Sequence, residues 1–326
     1  MKKYLALLLA SMLTLTTLSG CSSSSSSDAP EEYPTEAITF LVPWAAGGAT
    51  DIMARAVAQS AEEILGQPVV VENVEGGNAT IGTAQAANAD ADGYTILVAS
   101  TSPNILQPYY VDVTYTPESF DAICQITVKD MVIVANADAP YDTIAEYIAM
   151  CQENPDSLLF AVSNGNPAHL AFSSMMTQCD FSAKHYPVQN DSETITNVLS
   201  GVADIGLLTS VSVGVSQIEA GELKALAVFS TERSSVLPDV PTLIEEGIDI
   251  SAGAWTGLMV PAGMPEETLA LIREAFETVM MDPATEELLS RAGETLKYLD
   301  GDDFMDVVLE EYVTYGTEIE NLGLAN

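Results

Sequence analysis

The segment Trp44–Gly48 offers backbone N–H groups as its main chemical resource. It follows a β-rich run that Pro43 ends, contains two adjacent glycines and leads into an amphipathic stretch typical of a helix. Small side chains let a backbone come close to a ligand, and free N–H groups at a helix start favour a carboxylate oxygen or another anion. Because neither Lys nor Arg lies between Lys3 and Arg55, we expect backbone dipoles and water to meet an anion here.

Three more loops share this arrangement, in which a strand ends and small or polar residues lead into a helix: Glu75–Thr80, Ser163–His169 and Val188–Glu193. Helix capping explains any one loop by itself. Several such loops at strand ends, with polar pairs at 101–102 and 209–210, predict a cleft lined with N–H and O–H donors and suited to a small carboxylate. The candidate ligand-binding residues are Trp44, Ala45, Ala46, Gly47, Gly48, Thr101, Ser102, Ser163, Asn164, Asn166, Asn190, Asp191 and Thr209.

Catalytic and metal chemistry have little support. The chain has two histidines, and their spacing fits neither a metal site nor a Ser–His–Asp triad; we interpret His169 as a structural hydrogen-bonding residue. Asn88–Gly93 begins like a calcium loop, but Ala99 stands where a bidentate Glu is required. Helix capping explains Asp300–Asp303. We therefore predict no catalytic residue, no metal and no cofactor.

Two tryptophans and three later cysteines have open interpretations. Trp44 either walls the pocket or is anchored at the surface, and Trp255 belongs to a hinge or a core. Cys124, Cys151 and Cys179 form no Cys-x-x-Cys pair and are odd in number, so we expect three buried thiols. A single disulfide between Cys151 and Cys179 is the alternative.

Composition limits the partners. The 326 residues are 48% hydrophobic, which suffices for a sizeable core, and carry a net charge of −37. Such acidity excludes a nucleic-acid partner and a role on anionic membrane surfaces. Solubility outside the cell explains the acidity better than a cationic ligand does.

The first residues predict export. A positive start and a short apolar core make residues 1–20 a signal peptide, and Leu18–Cys21 resembles a bacterial lipobox. Cys21 would carry lipid on the outer face of the bacterial cell membrane, and the serine-rich residues 21–35 would form a tether. The alternative is an ordinary secretory signal with a chance cysteine. No later apolar stretch reaches the length of a membrane span.

Strands alternate with helices along the remaining chain, which predicts an α/β fold of parallel or mixed sheets with helices on both faces. Two extended segments, Ile123–Met131 and Ala252–Pro261, are expected to cross between two lobes. The expected lobe 1 comprises residues 36–128 plus 254–326, and lobe 2 comprises 129–253, with the cleft between them.

Val42–Asp51 reads VPWAAGGATD and resembles the VPFPPGGATD signature of Bug-type extracytoplasmic solute receptors of tripartite tricarboxylate transporters. The resemblance continues in order through nearly the whole mature chain, at Gly66–Asn73, Asp92–Leu97, Pro167–Leu170, Ala220–Val228, Leu237–Thr242, Trp255–Leu258 and Pro261–Gly263. It implies a two-lobed, type II periplasmic-binding-protein fold of the Venus flytrap kind, with a mixed sheet in each lobe and two hinge crossings. It also implies a captured carboxylate delivered to a membrane permease, without chemistry. The loop Trp44–Gly48 would hold one carboxylate, and the helix starts near Ser163–Asn166 and Asn190–Ser192 would hold the other end.

Several positions depart from the family pattern. The second loop reads Gly-Gly-Asn-Ala-Thr where Gly-Ala-Gly-Gly-Asn is frequent, and Leu207–Thr209 lacks the usual Asp. The fourth loop, Pro187–Asp191, lacks the usual aromatic and lysine and gains an Asp. We expect Asp191 to cap its helix; facing the cleft, it would instead repel a second carboxylate and suit an amino group.

The leading hypothesis is a lipid-anchored monomeric receptor for a di- or tricarboxylate, an amino acid or a related organic acid. A sensor that passes the bound solute's signal to a membrane receptor is the first alternative. A two-lobed α/β enzyme is the second, and the missing nucleophile–base pair argues against it.

Overall fold

The computed structural model describes residues 33–292 and 294–323. The predicted signal peptide, the predicted lipidation site Cys21 and all but the end of the predicted tether lie outside the described residues. Within the described ranges, no helix combines the length and apolar character needed to cross a bilayer.

Two sheets organise the described chain. The first has six strands in the order β11–β4–β10–β3–β1–β2, and the second has five in the order β7–β6–β8–β5–β9. Both sheets are mixed: β1 runs parallel to β2 and β3, whereas β10 runs antiparallel to β3 and β4. The strands are β1 Ile38–Val42, β2 Val69–Asn73, β3 Thr95–Ser100, β4 Phe120–Asp130, β5 Val132–Asn136, β6 Leu159–Ser163, β7 Lys184–Val188, β8 Ile205–Leu208, β9 Leu223–Val228, β10 Gly253–Pro261 and β11 Leu296–Asp300.

Helices connect the strands and cover both sheets. The helices are α1 Ala49–Leu65, α2 Thr80–Ala87, α3 Gln107–Tyr110, α4 Ile144–Glu153, α5 Pro167–Gln178, α6 Asp191–Leu199, α7 Val211–Glu219, α8 Glu266–Met281, α9 Pro283–Arg291 and α10 Gly301–Asn321. A π-helical turn, Ser102–Leu106, leads from β3 into α3.

Alternation along the strands explains why helices lie on both faces. In β3, Ile96 and Val98 pack with α1 and α8, whereas Leu97 and Ala99 point to the opposite face and pack with α10. Successive strand side chains point to opposite faces, so an uninterrupted apolar strand needs cover on both. The second sheet is built likewise, with α4 and α5 on one face and α6 and α7 on the other.

The chain crosses between the sheets at two adjacent places. Met131 separates β4 from β5, and Ala252 directly precedes β10. Phe229 links the two crossings, since its N–H donates to the Met131 carbonyl at 3.0 Å and its carbonyl accepts from the Ala252 N–H at 2.9 Å. The two-lobed α/β prediction is confirmed, while the residue boundaries given for the lobes stay a prediction.

The alternation of strands with helices is as expected, with differences at a few elements. The two extended crossing segments are long strands of the first sheet, β4 and β10, and each crossing lies at one strand end. Helix α7 was not predicted, because its valines and Gly214 lower helix propensity. The edge strand β11 was also missed; it is short and only partly buried.

Candidate functional site

Parallel strands bring most of the predicted loops to one edge of each sheet. In the first sheet, β1 and β3 are parallel, so the loop after Val42 and the turn after Ser100 begin at the same edge. In the second sheet, β6 is parallel to β7 and to β8, so the loops that follow Ser163, Val188 and Leu208 also share an edge. Neighbouring carboxyl ends of this kind form the usual ligand site of α/β sheets.

The loop Trp44–Gly48 is fastened from behind by Asp51. This carboxylate is 2% exposed and accepts hydrogen bonds from the Gly47 N–H at 2.8 Å, Asn73 Nδ2 at 2.9 Å and Arg55 Nε at 3.0 Å. Burial alone would raise the pKa of Asp51, but these bonds and the Arg55 charge outweigh burial and lower it. The Gly47 N–H is therefore used to shape the loop and is not free for an anion.

Other amides of this loop remain free. Ala45, Ala46 and Ala49 are exposed, and their N–H groups donate to no acceptor in the described part of the chain. Gly48 closes the turn by donating to the Ala45 carbonyl at 3.3 Å. These free donors at the start of α1 are the groups that a ligand carboxylate requires.

Trp44 is partly buried beside the loop. Its ring packs against the core between the first sheet and α1, and its indole N–H donates to Ser100 Oγ at 3.3 Å. Since Ser100 ends β3, this bond links the first loop to the turn that carries the predicted residues Thr101 and Ser102.

The two lobes touch at Ser102. Its hydroxyl donates to the Gly165 carbonyl of the second lobe at 3.0 Å, and the buried Gln107 Nε2 approaches the same carbonyl at 3.4 Å. Gly165 has a positive φ of 66°, which favours glycine, and a Cβ there would stand 2.9 Å from the end of the Gln107 side chain. The Thr101 hydroxyl is turned inward instead, where it accepts from the Trp255 N–H at 2.9 Å.

The loop Ser163–Asn166 begins α5. Asn166 caps this helix through Oδ1, which accepts from the His169 N–H at 2.9 Å, while its Nδ2 donates to Ser163 Oγ at 2.9 Å. Asn164 is exposed beside them. Capping thus holds two of the three predicted residues in place and leaves the third available to a ligand.

The fourth loop corrects the expectation for Asp191. The cap of α6 is Asn190, whose Oδ1 accepts from the Glu193 N–H at 3.0 Å. Asp191 instead reaches across to the end of β8, where its Oδ2 accepts from the Thr209 N–H at 3.0 Å and from Thr209 Oγ1 at 2.6 Å. Burial raises the pKa of Asp191, although these bonds and the charge on Lys129 act in the opposite direction.

The expected role of His169 was also wrong. Its ring makes no hydrogen bond with another described residue; Nδ1 is buried without a partner, and the ring stacks on His185 with centroids 4.3 Å apart. Burial, followed by the nearby His185, lowers the pKa of His169 to about 4. The His169 ring is therefore neutral and contributes packing beneath the loop that precedes α5.

The cysteines and acidic clusters have structural explanations. Cys124, Cys151 and Cys179 are free thiols, and Cys179 is partly exposed, contrary to the expectation of three buried thiols. Asp300 caps α10 by accepting from two amides, as predicted. Across the described ranges, no group of three or more His, Cys, Asp or Glu side chains is arranged to hold a metal.

Sequence reasoning missed five residues that position the site. The (i, i+4) spacing of Asp51 and Arg55 could have indicated their ion pair. Asn73, Gln107 and Lys129 act across elements distant in sequence, and no local pattern marks such contacts.

Two α/β lobes with donor-bearing strand ends are the architecture of periplasmic-binding-protein-like solute receptors. The family model described as "Tripartite tricarboxylate transporter family receptor" matches residues 53–324. Protein BugT of Bordetella pertussis is 31% identical over 276 residues, covering 81% of this chain and 82% of its own. The protein belongs to this family and is a Bug-type solute receptor of the tripartite tricarboxylate transporter class.

Solved structures share the fold. A TctC solute-binding protein from Polaromonas, without ligand, is 29% identical with a TM-score of 0.79, covering 89% of this chain and 99% of its own. MatC from Rhodopseudomonas palustris, with bound malate, is 24% identical with a TM-score of 0.72 and covers 88% and 100% respectively. The second likeness bears on the fold alone.

Proposed function

We propose that this receptor captures a small organic acid outside the cytoplasm, between the two carboxyl-end edges, and delivers it to a permease of its transporter. The observation that carries the proposal is the exposed start of α1, where the amides of Ala45, Ala46 and Ala49 point to no protein acceptor in the described chain. Because MatC, which shares the fold, holds malate, a dicarboxylate is the first ligand class to test. The receptor performs no catalysis in this proposal.

The predicted site residues have separate roles in this proposal. Free amides of the Trp44–Gly48 loop bind one carboxylate, helped by water because no Lys or Arg side chain belongs to the loop. Ser102 and Asn164 meet the ligand from the two sides of the lobe contact. Asn166, Asn190 and Asp191 hold the loops of the second lobe in position.

A thermal-shift screen at pH 7 tests the ligand class, using malate, succinate, citrate and glutamate. A ligand at a hundredfold excess over its Kd stabilises the folded state by about 2.7 kcal/mol, which gives a clear rise in Tm. If none of these acids nor a wider panel of organic acids and amino acids raises Tm, the receptor does not bind this class of solute.

Variants then locate the site. Gly48→Val places a Cβ 3.2 Å from the Ala45 carbonyl at the mouth of the loop and should abolish the response. Gly48 suits this test better than Gly47, whose positive φ of 80° would strain any other residue. Ser102→Ala should weaken binding, whereas the matched Ser216→Ala on exposed α7 should not. A full response in the Gly48 variant would move the site elsewhere.

An Asp191 variant tests whether this residue also faces the ligand. With Asp191→Asn, a residue that faces the ligand would give tighter binding of dicarboxylates and weaker binding of amino acids. A residue that only joins α6 to Thr209 would change neither affinity and would alter stability alone. Isothermal titration with succinate and glutamate separates the two roles.

Anchoring and delivery need separate tests. We propose that residues 1–20 are removed, that lipid on Cys21 anchors a monomer, and that residues 36–128 plus 254–326 and 129–253 form the two lobes. Cys21→Ala should release the receptor from the membrane fraction of cells without changing its ligand affinity. Continued membrane association of that variant would refute the anchor.

A further inference from the structure

A cavity of about 390 Å³ lies at the crossings, beside the loop edges described above, since β9 ends at the same edge as β8 and β10 starts near the end of β3. Its walls come from the end of β4, from the residues directly before β10, from Ser230 and Thr231 after β9, and from the middle of α10. Both lobes therefore contribute to it, and an occupant would touch both crossings at once.

One side chain of this cavity has an unused polar group. Tyr315 lines the cavity and is 8% exposed, and no described residue exchanges a hydrogen bond with its hydroxyl. The hydroxyl is therefore open to a partner from the cavity. A phenol oxygen in this position can accept a hydrogen bond from an N–H donor.

The charge around Tyr315 is negative. Glu310, Glu311 and Asp130 line the same cavity. Lys129 is the basic residue of the lining, and its charge is offset by Glu294, whose Oε1 lies 3.0 Å from Lys129 Nζ. The net negative charge of these lining side chains therefore favours a positively charged occupant.

Glu311 is the carboxyl best placed to meet such a charge. Its Oε2 accepts from the Trp255 indole N–H at 2.7 Å, which leaves Oε1 free for a second donor. Burial, and after it the nearby Glu310, raises the pKa of Glu311 to about 7 even though the Trp255 bond lowers it. A bound cation would stabilise the charged Glu311 carboxylate and so offset the effect of burial.

We propose that this crossing cavity is a second binding site, beside the loops assigned to the carboxylate, and that it takes a small organic amine. The ammonium group lies between Glu311 and the Tyr315 hydroxyl, and the apolar body packs on Val128 and Val307. An amine fits better than a metal ion, because no described cluster has three metal-ligating side chains and the walls include apolar groups.

Isothermal titration calorimetry with putrescine at pH 8 tests the proposal. Saturable binding is expected in wild type, with 1-butanol and equal ionic strength of NaCl giving none. The affinity for putrescine should fall at least tenfold at pH 5.5, where Glu311 is protonated. The other charged groups that face the site are Asp130, Glu310 and Lys129.

Two conservative variants locate the bound amine. Tyr315→Phe and Glu311→Gln should each weaken putrescine at least tenfold, whereas Glu63→Gln, an equal charge change on the exposed side of α1, should not. Gly48→Val should retain putrescine binding, which separates this site from the carboxylate cleft. Absence of saturable binding in wild type, or unchanged affinity in both cavity variants, overturns the proposal.

Discussion

Asp51→Ala should loosen the first loop and lower the free energy of unfolding. The buried carboxylate accepts from the Gly47 N–H, Asn73 Nδ2 and Arg55 Nε, all within 3.0 Å. A hydrogen bond to a charged group contributes about 1.5–3 kcal/mol, and breaking a fully buried ion pair costs about 3–5 kcal/mol.

The structure indicates that the loss in the free energy of unfolding is smaller than that of a fully buried ion pair. The Arg55 side chain is 52% exposed and can return to water, and Gly47 lies in an exposed loop. Asn73 Nδ2 keeps a second acceptor, the Trp44 carbonyl at 3.0 Å. We therefore expect a loss of about 2–3 kcal/mol, together with weaker ligand binding because the loop amides are no longer held.

Urea unfolding followed by circular dichroism measures this loss, with the exposed Asp112→Ala as the matched control. The pKa of Asp51 is lowered in the folded state, so its stabilisation is present above the unfolded pKa of about 4 and is lost as the pH falls further. The gap between wild type and variant should narrow below that pH. A loss under about 0.5 kcal/mol at pH 7, no larger than a surface substitution, would refute the reasoning.

Three further predictions concern single side chains. His169 has a folded pKa of about 4, so stability should fall by about 2 kcal/mol between pH 7 and pH 5, and His169→Gln should remove this dependence; an equally steep pH profile in the variant would assign the effect to another group. Glu311 should change stability with pH in the opposite direction, because its folded pKa is raised to about 7. Glu311→Gln should be more stable than wild type by up to about 3 kcal/mol at pH 8, and this difference should close as the pH falls toward 4.5. A difference in stability that stays constant with pH would contradict this. Gly257→Ala would place its Cβ 2.7 Å from the Cys124 carbonyl, so it should lower the free energy of unfolding by about 1–3 kcal/mol; an unchanged urea midpoint would show that β10 can shift.

The sequence by itself determined the elements and their order. Apolar runs such as Ile38–Val42 and the glycine-bearing loops that follow them are local patterns, and local patterns decide where strands end and helices begin. The same local signals correctly marked the cap of α10 at Asp300. They failed for α7, where Gly214 weakens the helical signal and packing against β8 and β9 supplies the missing stability.

Only the tertiary structure decided which groups face each other. Asp51 meets Asn73 across 22 positions, Ser102 meets Gly165 across 63, and Asp191 meets Thr209 across 18. Each of these contacts depends on strand order and on how the lobes close, and neither is encoded in a local run of residues. The sequence therefore predicted the donors at the strand ends, whereas the fold decided which of them are used for the protein's own structure and which stay free for a ligand.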